Sequence, residues 1–274
     1  MSVNIHPTAI VSEKAVLGTN VEVGPFSIIE EDVEIWDNTV ISSNVRIKRY
    51  SKIGKNCQIY EGCIIGGLPQ HLGFKGEVSY VEIGDNTVLR EYCTVNRGTA
   101  FDDGITKIGN NCYLMAYVHV AHDCKVGDNT ILANCVTLAG HVRVGSYVFI
   151  GGLTPVHQFC RIGDYAMVGG ASAVDKDIPP YTRASKNHVM LYGLNIIGLK
   201  RRGFTNQQIK LLKEAYRILF RTSKTLSEGI KKVEETLPKT PEVENLLNFV
   251  KTTKRGIAPE ASKRKVVTAQ DEME

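Results

Sequence analysis

Ile29-Glu-Glu-Asp-Val33-Glu-Ile35-Trp-Asp-Asn-Thr39-Val-Ile41-Ser-Ser-Asn-Val45-Arg-Ile47 is the stretch that decides the fold. An aliphatic residue recurs at every sixth position. Working outward, the series reads Val11, Leu17, Val23, Ile29, Ile35, Ile41, Ile47, Ile53, Ile59 and Ile65. It resumes in phase at Ile83, Leu89 and Val95. After a shift of one residue it runs from Ile108 through Leu114, Val120, Val126, Leu132, Leu138, Val144, Ile150, Val156, Ile162 and Val168 to Val174. Neither a helix of 3.6 residues per turn nor a lone alternating strand gives a period of six, whereas a parallel β-helix of hexapeptides does. Two positions before each aliphatic stands a small or β-branched residue such as Ser27, Val33, Thr39 or Val45. Residues two apart on a strand share a face, so both sets point into one narrow core. Three such strands make a triangular coil of eighteen residues, and coils stack at about 4.8 Å.

The seven cysteines agree with this register. Cys57, Cys63, Cys93, Cys112, Cys124 and Cys160 all lie two residues before a core aliphatic, and only Cys135 does not. They read as small buried residues, with no CxxC pair to suggest a metal or a redox motif. The repeats begin near residue 5 and no apolar run is long enough to span a membrane, so a cytoplasmic protein without stable membrane insertion is expected. A net charge of +4 argues against a general nucleic-acid role while permitting an acidic partner.

At Pro179-Pro180 the period stops, which sets the expected boundaries: a β-helix over 1–180, a helical domain over 181–253 and a mobile charged tail over 254–274. Thr205-x-x-Gln208 and Thr225-x-x-Glu228 are capping boxes, and Thr240-Pro241 opens a third helix. Two segments break the repeat. Residues 66–80 stand in place of two hexapeptides without losing phase, and residues 99–107 shift it by one. Insertions of this kind map to loops on one face of a solenoid, often the binding face.

His119, His122, His141 and His157 cluster outside the inward register and are expected to face outward. With eighteen residues per coil, Gly140 lies one coil above His122, Gln158 one coil above Gly140, and His141 above Asp123. An imidazole, an adjacent carboxylate and a glycine N–H are the parts acyl transfer requires: a base, its orienting group and a donor for the oxyanion. Zinc held by histidines at a seam between subunits, as in the gamma-class carbonic anhydrases, is the rival reading. A non-catalytic hexapeptide scaffold is another, although it would have no use for this constellation.

The motifs Ala121-His122-Asp123-Cys124, Leu138-Ala139-Gly140-His141, Val156-His157-Gln158-Phe159 and Gly198-Leu199-Lys200-Arg201-Arg202-Gly203-Phe204 resemble the UDP-N-acetylglucosamine O-acyltransferases, which take their acyl group from acyl carrier protein. The likeness spans nearly the whole chain. It implies a left-handed parallel β-helix with a C-terminal α-helical domain, a homotrimer with sites between subunits, and the first step of lipid A biosynthesis. Acyl carrier protein in its 3-hydroxyacyl form and a UDP-amino-sugar are the implied partners, with no cofactor and no metal. The resemblance assigns His122 as general base, Asp123 as its orienting group and Gly140 as oxyanion donor. It assigns substrate contacts to Gln70, His119, His141, His157, Gln158, Asn195, Arg201 and Arg202, and an acyl-chain ruler to Gly170 near His188. Two arginines suit a diphosphate. The chain departs from the family pattern at His71, where an aspartate is common beside the acceptor's 3-position, and at Ile197, where some members are acidic. His71 extends the expected acceptors to the 3-amino analogue of the sugar. The N-acyltransferase of the same pathway is the nearest alternative, but it normally carries a further N-terminal domain.

Overall fold

The computed structural model describes residues 3–261. Most strands are two residues long and form three parallel sheets, the faces of a triangular prism. In the first sheet Asn4 pairs with Glu22, Glu22 with Val40 and Val40 with Gln58, each eighteen residues on. The spacing then rises to thirty at Gln58↔Val88 and twenty-five at Val88↔Tyr113, before returning to eighteen at Tyr113↔Ile131. The two irregular segments are therefore extra lengths of chain, twelve and seven residues, and not missing repeats. Twelve is a multiple of six and preserves the phase, whereas seven shifts it by one.

The repeating aliphatics fill the prism. Ile29, Ile47, Ile65, Leu138 and their counterparts are fully buried, each stabilising the fold by about 1.5–3 kcal/mol relative to exposure. The small residues two positions earlier bond the corners together. Ser27, Thr39, Thr87 and Thr130 each donate to a carbonyl of the next coil. Cys57, Cys63, Cys93, Cys112 and Cys124 place Sγ against the equivalent carbonyl. These cysteines are thus weak donors as well as buried apolar residues, and burial pushes the Cys112 thiol up to about 11 and Cys124 up to about 12.

The corner between the third and first sheets carries an asparagine ladder, with Asn20, Asn38, Asn56 and Asn86 joined side chain to side chain. These residues hold positive φ, which asparagine tolerates better than most. Further along, the same corner carries stacked Tyr147, Tyr165 and Tyr181, and Phe204 packs edge-on against the last two. The asparagines thus give way to aromatic rings where the helical region begins.

The boundary expected at residue 180 moves. Strands Thr182–Ser185 and Met190–Leu194 still extend the first sheet. The helices follow as α1 (Ile196–Arg201), α2 (Asn206–Tyr216), α3 (Leu226–Thr236) and α4 (Pro241–Lys251). Thr205 and Gln208 make the reciprocal box at α2. At α3 only the Thr225 half forms, because Glu228 accepts from Lys224 N–H instead. A six-residue π-helical turn, Arg217–Thr222, continues α2.

The free tail expected from residue 254 is also corrected. Residues 254–261 pack back along the prism, with Ala258 N–H donating to Asp177, Leu191 N–H to Pro259 and Arg221 paired with buried Glu260. The rest of that tail lies outside the described residues. No described helix is long and apolar enough to cross a membrane.

Candidate active site

Both inserted loops, residues 68–79 and 97–104, leave the second sheet and enter the third, so they emerge from the same corner. His122 and Asp123 occupy that corner, between strands His119–Val120 and Lys125–Val126. The loops cover them. Neither residue faces into the core, yet His122 is only 7% exposed and Asp123 not at all. His122 lies outside the inward register, and its cover comes from loops that have no period.

His122 Nδ1 lies 2.8 Å from Asp123 Oδ2. Thr99 supplies two donors, its N–H to Oδ1 and its hydroxyl to Oδ2, each at 2.7 Å. Burial alone would raise the Asp123 carboxyl, but the hydrogen bonds from His122 and Thr99 outweigh it and hold the group below the ordinary carboxylate range. An anionic acceptor at Nδ1 keeps the proton on that nitrogen and leaves Nε2 as a lone pair.

Gly140 stands one coil above, joined through His141 N–H to His122 carbonyl. A Cβ on Gly140 would sit 2.5 Å from His122 Cε1 and 2.7 Å from Nε2, so only glycine lets this backbone meet the ring. Among the described residues nothing accepts from the buried Gly140 N–H. His141 crosses His122 edge-on at 5.1 Å, stacks on Phe159, and places Nε2 3.7 Å from Asp123.

His71 comes down from the first loop to 5.2 Å from the His122 ring and packs on Phe101. Its neighbour Gln70 is exposed. Buried Arg97 holds the loop root between the rings of Tyr50 and Phe74. His119, hydrogen bonded to Thr94, has its pKa lowered first by burial and then by His122. His157 and Gln158 are exposed on the coil above Gly140. His122, Asp123 and His141 could reach a common metal ion, but Nδ1 of His122 and both Asp123 oxygens are already hydrogen bonded, and a metal would have to displace those bonds.

Other expected site residues lie elsewhere on the chain. Asn195, Arg201 and Arg202 line a cleft of about 1480 Å³ beside Tyr147 and Tyr165, at the corner between the third and first sheets. Asn195 caps α1, and Arg202 lies over the Tyr147 ring. Arg183, Lys210, Lys213, Arg217 and Arg221 line the same cleft, with Glu214 its only acid among the described residues. Gly170 backs onto Gly151 and Gly152 of the coil below. His188 is exposed and bonded to Asp175, and Ile197 is exposed. Thr99 and Asp102 escaped notice in the sequence, where the one-residue phase shift was their only signal.

A hexapeptide prism with a buried His–Asp pair against a bare glycine backbone defines a hexapeptide-repeat transferase. Residues 105–140 match the bacterial transferase hexapeptide model, and residues 177–258 match the second-domain model of UDP-N-acetylglucosamine O-acyltransferase. An acyl-[acyl-carrier-protein]–UDP-N-acetylglucosamine O-acyltransferase from Sulfurihydrogenibium is 80% identical over 98% of this chain and all of that protein. One from Aquifex aeolicus is 52% identical over 93% of this chain and 97% of that protein. A solved structure of the Acinetobacter baumannii enzyme, 40% identical, superposes with a TM-score of 0.90 over 93% of this chain and 99% of that one. The chain belongs to the family of acyl-[acyl-carrier-protein]–UDP-N-acetylglucosamine O-acyltransferases, and its coil is the left-handed parallel β-helix.

Proposed function

We infer that this enzyme moves a 3-hydroxyacyl group from acyl carrier protein to the 3-hydroxyl of UDP-N-acetylglucosamine, the first step of lipid A biosynthesis, with His122 as general base. The observation that carries the reading is the buried His122–Asp123 pair, whose Nε2 faces Gly140. Nε2 takes the proton from the sugar hydroxyl as the oxygen attacks the thioester carbonyl. The new C–O bond gives a tetrahedral oxyanion, which accepts from Gly140 N–H. Collapse breaks the C–S bond, and the imidazolium returns its proton to the leaving thiolate. Asp123 stays ionised and balances the imidazolium.

The residues expected to contact substrate fall into two groups on one chain. Gln70, His71, His119, His141, His157 and Gln158 surround or flank His122, while Asn195, Arg201 and Arg202 line a cleft at another corner. A homotrimer in which one chain's basic cleft faces the next chain's His122 corner would complete the site, with the arginines taking the diphosphate. The same basic surface suits a negatively charged carrier protein.

The test is His122→Ala in the purified full chain. We expect an unchanged oligomer and a fall in kcat of at least ~10²-fold. Near-normal turnover would remove His122 from the mechanism.

A further inference from the structure

Asp123 must be kept both charged and aimed if His122 is to present a basic Nε2. Among the described residues no lysine or arginine pairs with its carboxylate. Its donors, apart from His122, come from loop 97–104. Thr99 binds both oxygens, and its hydroxyl shares Oδ2 with His122 Nδ1. Three residues on, Asp102 accepts from Arg143 and lies 3.5 Å from His141 Nδ1. The far end of the loop is tied by Lys125 Nζ, which donates to Asp103 and to Ile105 carbonyl, both at 2.7 Å. One loop thus grips the acid partner of the base and the histidine above it.

We propose that Thr99 is a positioning residue for acyl transfer, fixing the Asp123 carboxylate through its hydroxyl, with Asp102 as the second anchor of the same loop on His141. The inference rests on His122 as the general base. Two donors at Oδ2 divide that oxygen's charge and fix the carboxylate plane. Without the hydroxyl, the carboxylate turns more easily and holds the imidazolium more tightly, so His122 stays protonated to a higher pH. The titratable groups facing His122 are Asp123, His141 from the coil above, His71 from the first loop and His119 from the strand before it. Thr99 touches only Asp123 among these.

The experiment measures kcat, KM and the pH dependence of kcat/KM for the full-length enzyme and for Thr99→Val, Thr99→Ser and His122→Ala. Thr99→Val, nearly the same shape without the hydroxyl, is expected to lower kcat about 10-fold, within the worth of a hydrogen bond to a charged group. It should leave KM for the UDP-sugar within about threefold and move the acidic limb of the profile to higher pH. Thr99→Ser should recover most of the loss and return the limb. Unchanged kcat with an unmoved limb in Thr99→Val overturns the proposal. So does a lowered kcat with an unmoved limb that serine does not restore, because that is damage to the loop alone. If Thr99→Val does not fold, Thr99→Ala removes the same hydroxyl and is judged by the same outcomes. Turnover retained in His122→Ala would instead overturn the base assignment, whatever Thr99 shows.

Discussion

His71 is held by its own loop: Gly73 N–H donates to Nδ1 at 3.1 Å. A neutral imidazole that accepts at Nδ1 carries its proton on Nε2, so His71 offers the substrate a donor. A donor can meet either a hydroxyl oxygen or an amine nitrogen. We therefore expect the enzyme to acylate UDP-N-acetylglucosamine and its 3-amino analogue with comparable kcat/KM. His71→Asp should shift the ratio toward the hydroxyl, since a carboxylate would hold the amine as unreactive ammonium. A wild-type ratio in His71→Asp would show that this position does not choose the acceptor. Residue identities were legible where the period reached them. Eighteen-residue arithmetic puts Gly140 over His122 and His141 over Asp123, and backbone bonds join those coils. Burial of the pair was not legible, because Thr99, Phe101 and His71 arrive from aperiodic loops.

Capping residues and the hydrophobic period marked the elements well, yet the C-terminal strap escaped. Residues 254–261 have no apolar stripe, and their attachment rests on backbone bonds, the bonds of Arg255 to Asp175 and Lys176, one small buried side chain, and buried Glu260 paired with half-exposed Arg221. Removing residues 255–274 should strip Glu260 from Arg221 and expose Asp177, lowering the melting temperature by several degrees, since ~1 kcal/mol shifts a domain of this size by about 2–4 °C. Calorimetry on the truncated and the full chain checks this. Glycine pairs 151–152 and 169–170 stack on adjacent coils and leave a bare backbone floor. If that floor receives the acyl chain, Gly170→Met should shorten the preferred 3-hydroxyacyl chain by roughly the length of the new side chain. An unchanged profile across a panel of acyl carrier proteins would place the ruler elsewhere.

At the scale of the molecule, the separation of His122 from Arg201 and Arg202 makes a direct prediction. If sites form between chains, inactive His122→Ala and Arg202→Ala subunits, mixed during folding, should recover activity, because some interfaces then pair an intact base with an intact cleft. No recovery in proven mixed oligomers would mean that each chain works alone. The same separation explains why the sequence placed all these residues in one list without showing that they occupy two corners: period fixes height along the axis, whereas Asn195, Arg201 and Arg202 lie past the last coil, on or beside a helix the period does not reach. The stacking register has a further consequence for descent. Early coils touch only their neighbours eighteen residues away and share one asparagine ladder. A lineage could gain or lose a single whole coil there by gene duplication or deletion, and the catalytic corner would be carried along unaltered. Beyond Tyr50 that freedom ends, because loops, corner and helices are fastened to particular coils, and inherited change must proceed there one residue at a time.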